Sequence, residues 1–177
     1  MKLERLSGAA TISRYDRVIA VGPELIHTKL EDAESNARKR EIHVLHRGPA
    51  DGVQRMLNAV EPSSYLRPHR HADPPKSESL VLLSGSLGFV TFLEDGTPDT
   101  FIHLYPEKTI ALDCREGVWH TVVAFEPSVV FEVKTGPHAP ATDKEFAPWA
   151  PEEGSTAAHA YLSRLKDLVL EKTISLM

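Results

Sequence analysis

Between about residues 52 and 134 the chain is written as short runs rich in Val, Ile, Leu, Phe and Thr, broken at close intervals by Gly, Pro and Asp. That texture specifies an all-β body. The spacing predicts eight strands, over residues 53–60, 64–71, 79–84, 88–93, 100–104, 109–112, 120–125 and 129–134. Eight strands suit a sandwich or a small barrel. Asp95-Gly96 supplies the positive φ that tight hairpins require, and Ser84-Gly85-Ser86 is a second such turn, so neighbouring strands are expected to run antiparallel.

The flanks read differently. From Pro23 to about residue 39, Leu25, Ile26, Leu30 and Ala33 recur at helical spacing. Pro23 is tolerated in a first turn. Glu24 at the start and Arg38, Lys39 and Arg40 at the end would each suit the helix dipole by roughly tenths of a kcal/mol. After the last strand comes GPHAPATDKEFAPWAPEEG, in which Pro137, Pro140, Pro148 and Pro151 oppose regular structure. It is expected to wrap the surface, pinned by Phe146 and Trp149. From Ser155 onward Ala158, Tyr161, Leu162, Leu165, Leu168 and Val169 return to helical spacing, giving an amphipathic helix that packs on the same body or on a second subunit. The chain thus divides into an N-terminal extension with a helix (1–44), a β barrel (45–136), and a wrapping segment with a C-terminal helix (137–177), together one structural domain.

Several function classes drop out. No apolar run approaches the roughly 20 residues that a bilayer span needs. A net charge of -5 with scattered Lys and Arg gives no attraction to phosphate backbones, so nucleic acid is not an expected partner. The single cysteine, Cys114, cannot form an intramolecular disulfide, and the first residues, MKLERLSGAATISRYD, lack a secretory apolar run. A cytoplasmic location is expected.

The chemistry concentrates in YLRPHRHADPPKSESLVLLSGSLG, residues 65–88. On a strand, His69 and His71 project to one face and their imidazoles converge. The paired prolines of ADPPKS force a turn, after which Glu78 begins an apolar strand. An unpaired buried carboxylate there would cost several kcal/mol, roughly, so a partner is implied. His120, in EGVWHTVVAF after Gly117, offers a third imidazole. Three neutral nitrogens and one carboxylate suit a divalent ion such as zinc, iron, nickel, cobalt or manganese. By alternation Tyr65 and Arg67 would also turn inward, Arg67 either to grip a substrate carboxylate or phosphate or to pair with Glu61 or Asp73. Tyr65, Arg67 and His46 are the catalytic candidates, and Gln54 and Asn58 are candidates for the same cavity. His27, His103, His138 and His159 are expected to be solvated. A Cys114–His120 thiol pair is disfavoured because the metal already uses His120.

His69, His71, Glu78 and Gly85 resemble the first cupin motif, and Gly117 and His120 resemble the second. More narrowly, NARKREIHVLH, VQRMLNAVEPSSYLRPHRHADPPKSE, GVWHTVV and FEVKTGPHAPATDKEFAPWAPEEG resemble the WbuC-type cupin fold metalloproteins, over roughly residues 35 to 154. The resemblance implies a cupin-type, jelly-roll-like antiparallel β-barrel, a metal held in its mouth by His69, His71, Glu78 and His120, a homodimer, and an association with bacterial surface polysaccharide assembly. No reaction comes with it. Six residues separate His71 from Glu78, where cupins usually have three or four.

The resulting expectation is a metalloenzyme acting on a small polar metabolite in the barrel pocket, such as a sugar or a hydroxy acid. Two alternatives stand beside it. One is a non-catalytic, metal-dependent binding or sensing module. The other is a metal-free sugar epimerase, in which His69 or His120 would work with Asp73 or Asp113.

Overall fold

The computed structural model describes residues 2–15 and 17–174. It holds twelve strands and two helices: β1 (Lys2–Ser7), β2 (Ala10–Arg14), α1 (Pro23–Ser35), β3 (Arg40–Val44), β4 (Val53–Val60), β5 (His69–Arg70), β6 (Glu78–Ser84), β7 (Leu87–Phe92), β8 (Pro98–Leu104), β9 (Ala111–Cys114), β10 (Trp119–Ala124), β11 (Ser128–Thr135), β12 (Glu145–Phe146) and α2 (Thr156–Ile174). They form a seven-stranded sheet in the order β1-β2-β3-β4-β11-β6-β9 and a five-stranded sheet in the order β12-β5-β10-β7-β8. Every pairing is antiparallel except that of β2 with β3.

Alternation along the strands sorts residues into three layers. On the outer face of the larger sheet, Leu45, Leu57, Ala59 and Val129 pack against Leu25 and Ala33 of α1. On the outer face of the smaller sheet, Val90, Phe92, Trp119 and Val123 pack against Ala158, Leu162, Leu165 and Val169 of α2. Between the sheets, Leu80, Leu82, Leu87, Phe89, Leu104 and Val130 fill the interior. This apolar plug leaves the remainder of the interior to polar side chains. Among the described residues no helix is long and apolar enough to cross a membrane.

The turn chemistry is as the sequence requires: Gly96 has φ +87, and a Cβ there would lie 2.6 Å from the Trp149 ring. Trp149 therefore seats the tail on the β7–β8 hairpin, and it also packs on Phe92 at 4.9 Å between ring centroids. Phe146, by contrast, stays 50% exposed and holds the tail through its backbone pairing with His69 and not by burial of its ring.

Other departures have local causes. Helix α1 stops at Ser35, not near 39, because Asn36 is extended (φ -76, ψ 139) and Lys39 takes φ 56 before β3 begins. The basic triplet is thus not a helix end. Arg38 and Arg40 instead both bind Glu153, each at 2.7 Å, tying β3 to the approach to α2. The predicted strand over 64–71 contracts to His69–Arg70. Upstream of it the backbone is held singly, with Thr121 Oγ1 donating to Leu66 O at 2.6 Å and Ala147 N to Pro68 O at 2.9 Å. Tyr65 and Arg67 therefore do not follow the alternation of His69 and His71.

Strands β1, β2, β3 and β12 lie outside the predicted set. β1 (KLERLS) is exposed throughout, so burial left no pattern to read. In β2 the buried Thr11 and Ser13 are polar, serving His43 of β3 through Thr11 Oγ1 to Nδ1 and Ser13 Oγ to Nε2, both at 2.8 Å. The larger sheet thus begins within residues 1–44.

Candidate metal centre

His69 sits on β5, hydrogen-bonded into a sheet between β10 and β12 through the pairs His120↔His69 and Phe146↔His69. That register sets His69 directly beside His120. Their ring centroids are 4.6 Å apart, and those of His69 and His71 are 5.2 Å apart. Gly117, with φ +75, makes the turn before β10 and donates its N–H to His71 O at 3.2 Å, so the lead into His120 is fastened to the backbone of the third histidine. The ring nitrogens of His69, His71 and His120 lie within 4.8 Å of one another, and all three residues are buried. This is near the span of two metal–ligand bonds of roughly 2.1 Å.

The tautomers of the three rings are fixed from behind. His69 Nδ1 donates to Arg67 O at 3.1 Å, His120 Nδ1 to Val118 O at 2.8 Å, and His71 Nδ1 to Asp143 O. A carbonyl can only accept, so each Nδ1 carries the proton and each neutral ring turns an Nε2 lone pair inward. Glu78, the first residue of β6, meets them: Oε1 lies 2.9 Å from His120 Nε2 and Oε2 lies 3.4 Å from His71 Nε2. Neither Nε2 completes a hydrogen bond. Acceptors thus face acceptors in a buried site, an arrangement that only a cation or an extra proton can stabilise. The donor set of three imidazoles and a carboxylate fits a divalent metal ion.

The electrostatics agree with this geometry. Burial lowers His69 well below the usual histidine range, helped by the charge of Lys144. Burial alone would raise the Glu78 carboxyl, but the His120 and His71 rings beside it hold it well below the usual carboxylate range. His120 is lowered by burial yet raised overall to about 10 by Cys114 and Glu78.

The six residues between His71 and Glu78 have their own task. Lys76, within that turn, is 2% exposed and donates from Nζ to Asp143 Oδ1 at 2.7 Å. Asp143 Oδ2 accepts from Lys134 Nζ at 2.9 Å. Asp143 therefore orders two buried lysines with its carboxylate and His71 with its backbone carbonyl.

One cavity borders the centre and a second adjoins the first. The smaller, about 90 Å³, is lined by His69, Glu78, His120, Leu66, Leu80 and Val130 among others. The larger, about 540 Å³, lies against the inner face of the larger sheet and includes Ile12, Ile42, Val44, Met56, Gln54 and His46. Ile42, Asn58, Glu132 and Lys144 line both. Such a volume is within the range of small-molecule sites.

The catalytic candidates are not gathered at the three histidines. Tyr65 is in the core under α2, its hydroxyl donating to Pro151 O at 2.9 Å. Arg67 donates from Nη2 to Ala147 O at 2.9 Å, with its guanidinium 5.7 Å from the Phe146 ring centroid. It makes no ion pair with Glu61 or Asp73. His46 lines the larger cavity, its Nδ1 accepting from Arg55 N at 3.0 Å, and burial lowers its pKa. Gln54 and Asn58 line the larger cavity as well. The acids proposed for an epimerase pair are elsewhere: Asp113 takes Ser79 Oγ at 2.5 Å, and Asp73 is exposed. His138 is 40% exposed but contacts Asp143 at 3.3 Å, and His103 bonds Ser86 Oγ at 2.7 Å, so neither is simply solvated.

Sequence reasoning missed Glu132, Asp143 and Lys144. Glu132 and Lys134 alternate with Phe131 and Val133 on β11, and two inward charges on an otherwise apolar strand were a signal. The triplet Asp143-Lys144-Glu145 in a proline-rich stretch gave no signal of its own.

A family model described as a domain of unknown function (DUF6016) matches residues 21–104. No curated protein matches the sequence. The fold is similar to that of L-ribose isomerase from Cellulomonas parahominis. The structure with L-psicose has a TM-score of 0.51 and 17% identity, covering 63% of this chain and 70% of that one. The structure with no ligand has a TM-score of 0.51 and 16% identity, covering 68% and 72%. At that identity the likeness concerns fold alone, and the narrower WbuC-type resemblance gains nothing from it. With the two-sheet topology, it gives the chain a mostly β, cupin-type fold with an N-terminal and a C-terminal helix.

Proposed function

We propose that the chain is a metal-dependent cupin in which His69, His71, His120 and Glu78 hold one divalent ion, and that it acts on a small polar metabolite such as a sugar or a hydroxy acid. The observation that carries the reading is the set of three Nδ1–H groups committed to backbone carbonyls, which leaves three Nε2 lone pairs and a carboxylate aimed at one point. A divalent ion bound there would supply Lewis-acid polarisation of a ligand oxygen. Around it, Lys144 and Glu132 offer an ammonium and a carboxylate from the wall of the cavity, to which Leu66, Leu80 and Val130 add apolar surface. Titratable groups beside the centre favour a catalytic role over a purely binding one. The WbuC-type resemblance, with its homodimer and its link to surface polysaccharide assembly, belongs to this reading and rests on the sequence segments alone.

The test is elemental analysis of protein prepared without an affinity-tag histidine run, followed by turnover assays. Aldoses come first in the panel because the fold neighbours are named for L-ribose isomerase. One divalent ion per chain is expected, with uptake weakened at least tenfold in His71→Ala and Glu78→Gln while the fold survives. Equal uptake by wild type and His71→Ala, or turnover unchanged in chelated protein, would overturn the proposal.

A further inference from the structure

Of the lysines near the two cavities, two are paired. Lys134 lies 2.9 Å from Asp143 and 3.7 Å from Glu132, and Lys76 lies 2.7 Å from Asp143. Lys144 makes no hydrogen bond or ion pair among the described residues, although it lines both cavities where they meet. Its side chain is exposed, at the place where the two cavities share a wall. Its field reaches His69 on one side and Glu132, Glu78 and Asp143 on the other.

Charge accounting gives this unpaired ammonium a consequence. Arg40, Glu41 and Arg14 at the cavity edges are paired with Glu153, Arg5 and Glu4, and Arg47 is exposed. Further in stand the carboxylates of Glu78, Glu132 and Asp143 and the ammonium groups of Lys76, Lys134 and Lys144, which cancel. A divalent ion on three neutral imidazoles then leaves two positive charges uncompensated around the cavities. Such a surplus selects an anion.

We infer that the ligand of this cavity carries an anionic oxygen group, a carboxylate or a phosphate monoester, which Lys144 engages while hydroxyls of the same molecule face the metal centre. The inference rests on the metal-centre reading above. It narrows the substrate class from polar metabolites in general to hydroxylated acids or phosphorylated polyols. Lys144 acts as a point charge with rotatable donors, so it takes either anion. The larger cavity takes the rest of the molecule, with Gln54 and Asn58 as polar contacts and Ile42 and Met56 as apolar ones.

The experiment loads the whole chain with cobalt(II), measures uptake by absorbance, and then titrates D-gluconate, D-glucitol 6-phosphate and uncharged D-glucitol by calorimetry. At least one anion is expected to bind ten times more tightly than D-glucitol, and which one does so tells carboxylate from phosphate. Lys144→Met should take up cobalt normally and bind that anion no better than D-glucitol, whereas Lys144→Arg should keep the preference to within about threefold. Cobalt uptake with no anion preference in wild type, or a preference that survives in Lys144→Met, overturns the inference and leaves the metal reading standing. Failure of wild type to take up cobalt overturns both. Should Lys144→Met not fold, the wild-type preference and its retention in Lys144→Arg decide the matter.

Discussion

Replacing Asp143 tests whether the tail is a structural part of the interior. Its carboxylate, 5% exposed, lies 2.7 Å from Lys76 Nζ and 2.9 Å from Lys134 Nζ, whose side chains are 1% and 5% exposed. Removing one partner of a buried ion pair costs about 3–5 kcal/mol, because the other charge stays buried without compensation. Two lysines share this acid, but they are not equally dependent on it. Lys134 keeps Glu132 at 3.7 Å, while Lys76 keeps only Pro137 O at 2.6 Å. Asp143→Asn retains one acceptor oxygen and should lose about 3 kcal/mol, and Asp143→Ala about 5 kcal/mol, a large share of a typical stability of about 5–15 kcal/mol. Urea denaturation at pH 7 reads both values, and adding Lys76→Met should recover part of the loss. The pH dependence has a fixed sign. Burial would raise the Asp143 carboxyl, but Lys134 and Lys76 hold it well below its usual value, so its contribution is present above the unfolded value of about 3.9 and fades as pH falls below it. A loss under about 1 kcal/mol at pH 7, or one unchanged by removing Lys76, would refute the account.

Two further outcomes are expected. Leu165, 1% exposed between α2 and the smaller sheet, should cost about 2–5 kcal/mol on replacement by Ala, with metal uptake unaltered, as read by denaturation and elemental analysis. His43 is fully buried and is lowered to about 4, first by burial and then by the charge of Lys29. The unfolded chain takes up this proton near pH 6.5 and the folded chain only near 4, so stability should fall between those values by up to about 3 kcal/mol relative to His43→Gln, as measured by urea denaturation across that range.

Much of the fold was legible because the β body obeys alternation and turn chemistry at once. Strand β4 agrees with its prediction at both ends, and the Asp95-Gly96 turn forms as its residues demand. The histidine cluster was legible for the same reason, since His69 and His71 need only a short stretch of strand to converge. What failed to show was whatever a partner segment decides. Residues 64–68 have strand-like composition, yet single hydrogen bonds to Thr121 and to the tail replace a ladder there, which moved Tyr65 and Arg67 away from the expected face. Lys29 lies on the buried stripe of α1 because Asp32 and Thr11 receive its ammonium, a match across 18 residues that no local pattern encodes.

The tail carries the larger lesson about the site. Its prolines read correctly as a bar to long regular structure, and from that a surface wrap followed. Yet two residues, Glu145 and Phe146, are enough to pair with β5 beside His69, and that pairing delivers the carbonyl of Asp143 to His71 Nδ1. The same pairing sets the Asp143 carboxylate between Lys76 and Lys134 and Lys144 at the cavity wall. The long turn between His71 and Glu78 then has a physical reason: it must reach far enough to bring Lys76 down to Asp143 before the chain returns as β6. A shorter loop of the usual cupin length could still present Glu78, but it would leave Asp143 one lysine short. Loop length and tail are thus complementary, and the orientation of His71 depends on a segment some seventy residues away, 72 by position in the chain.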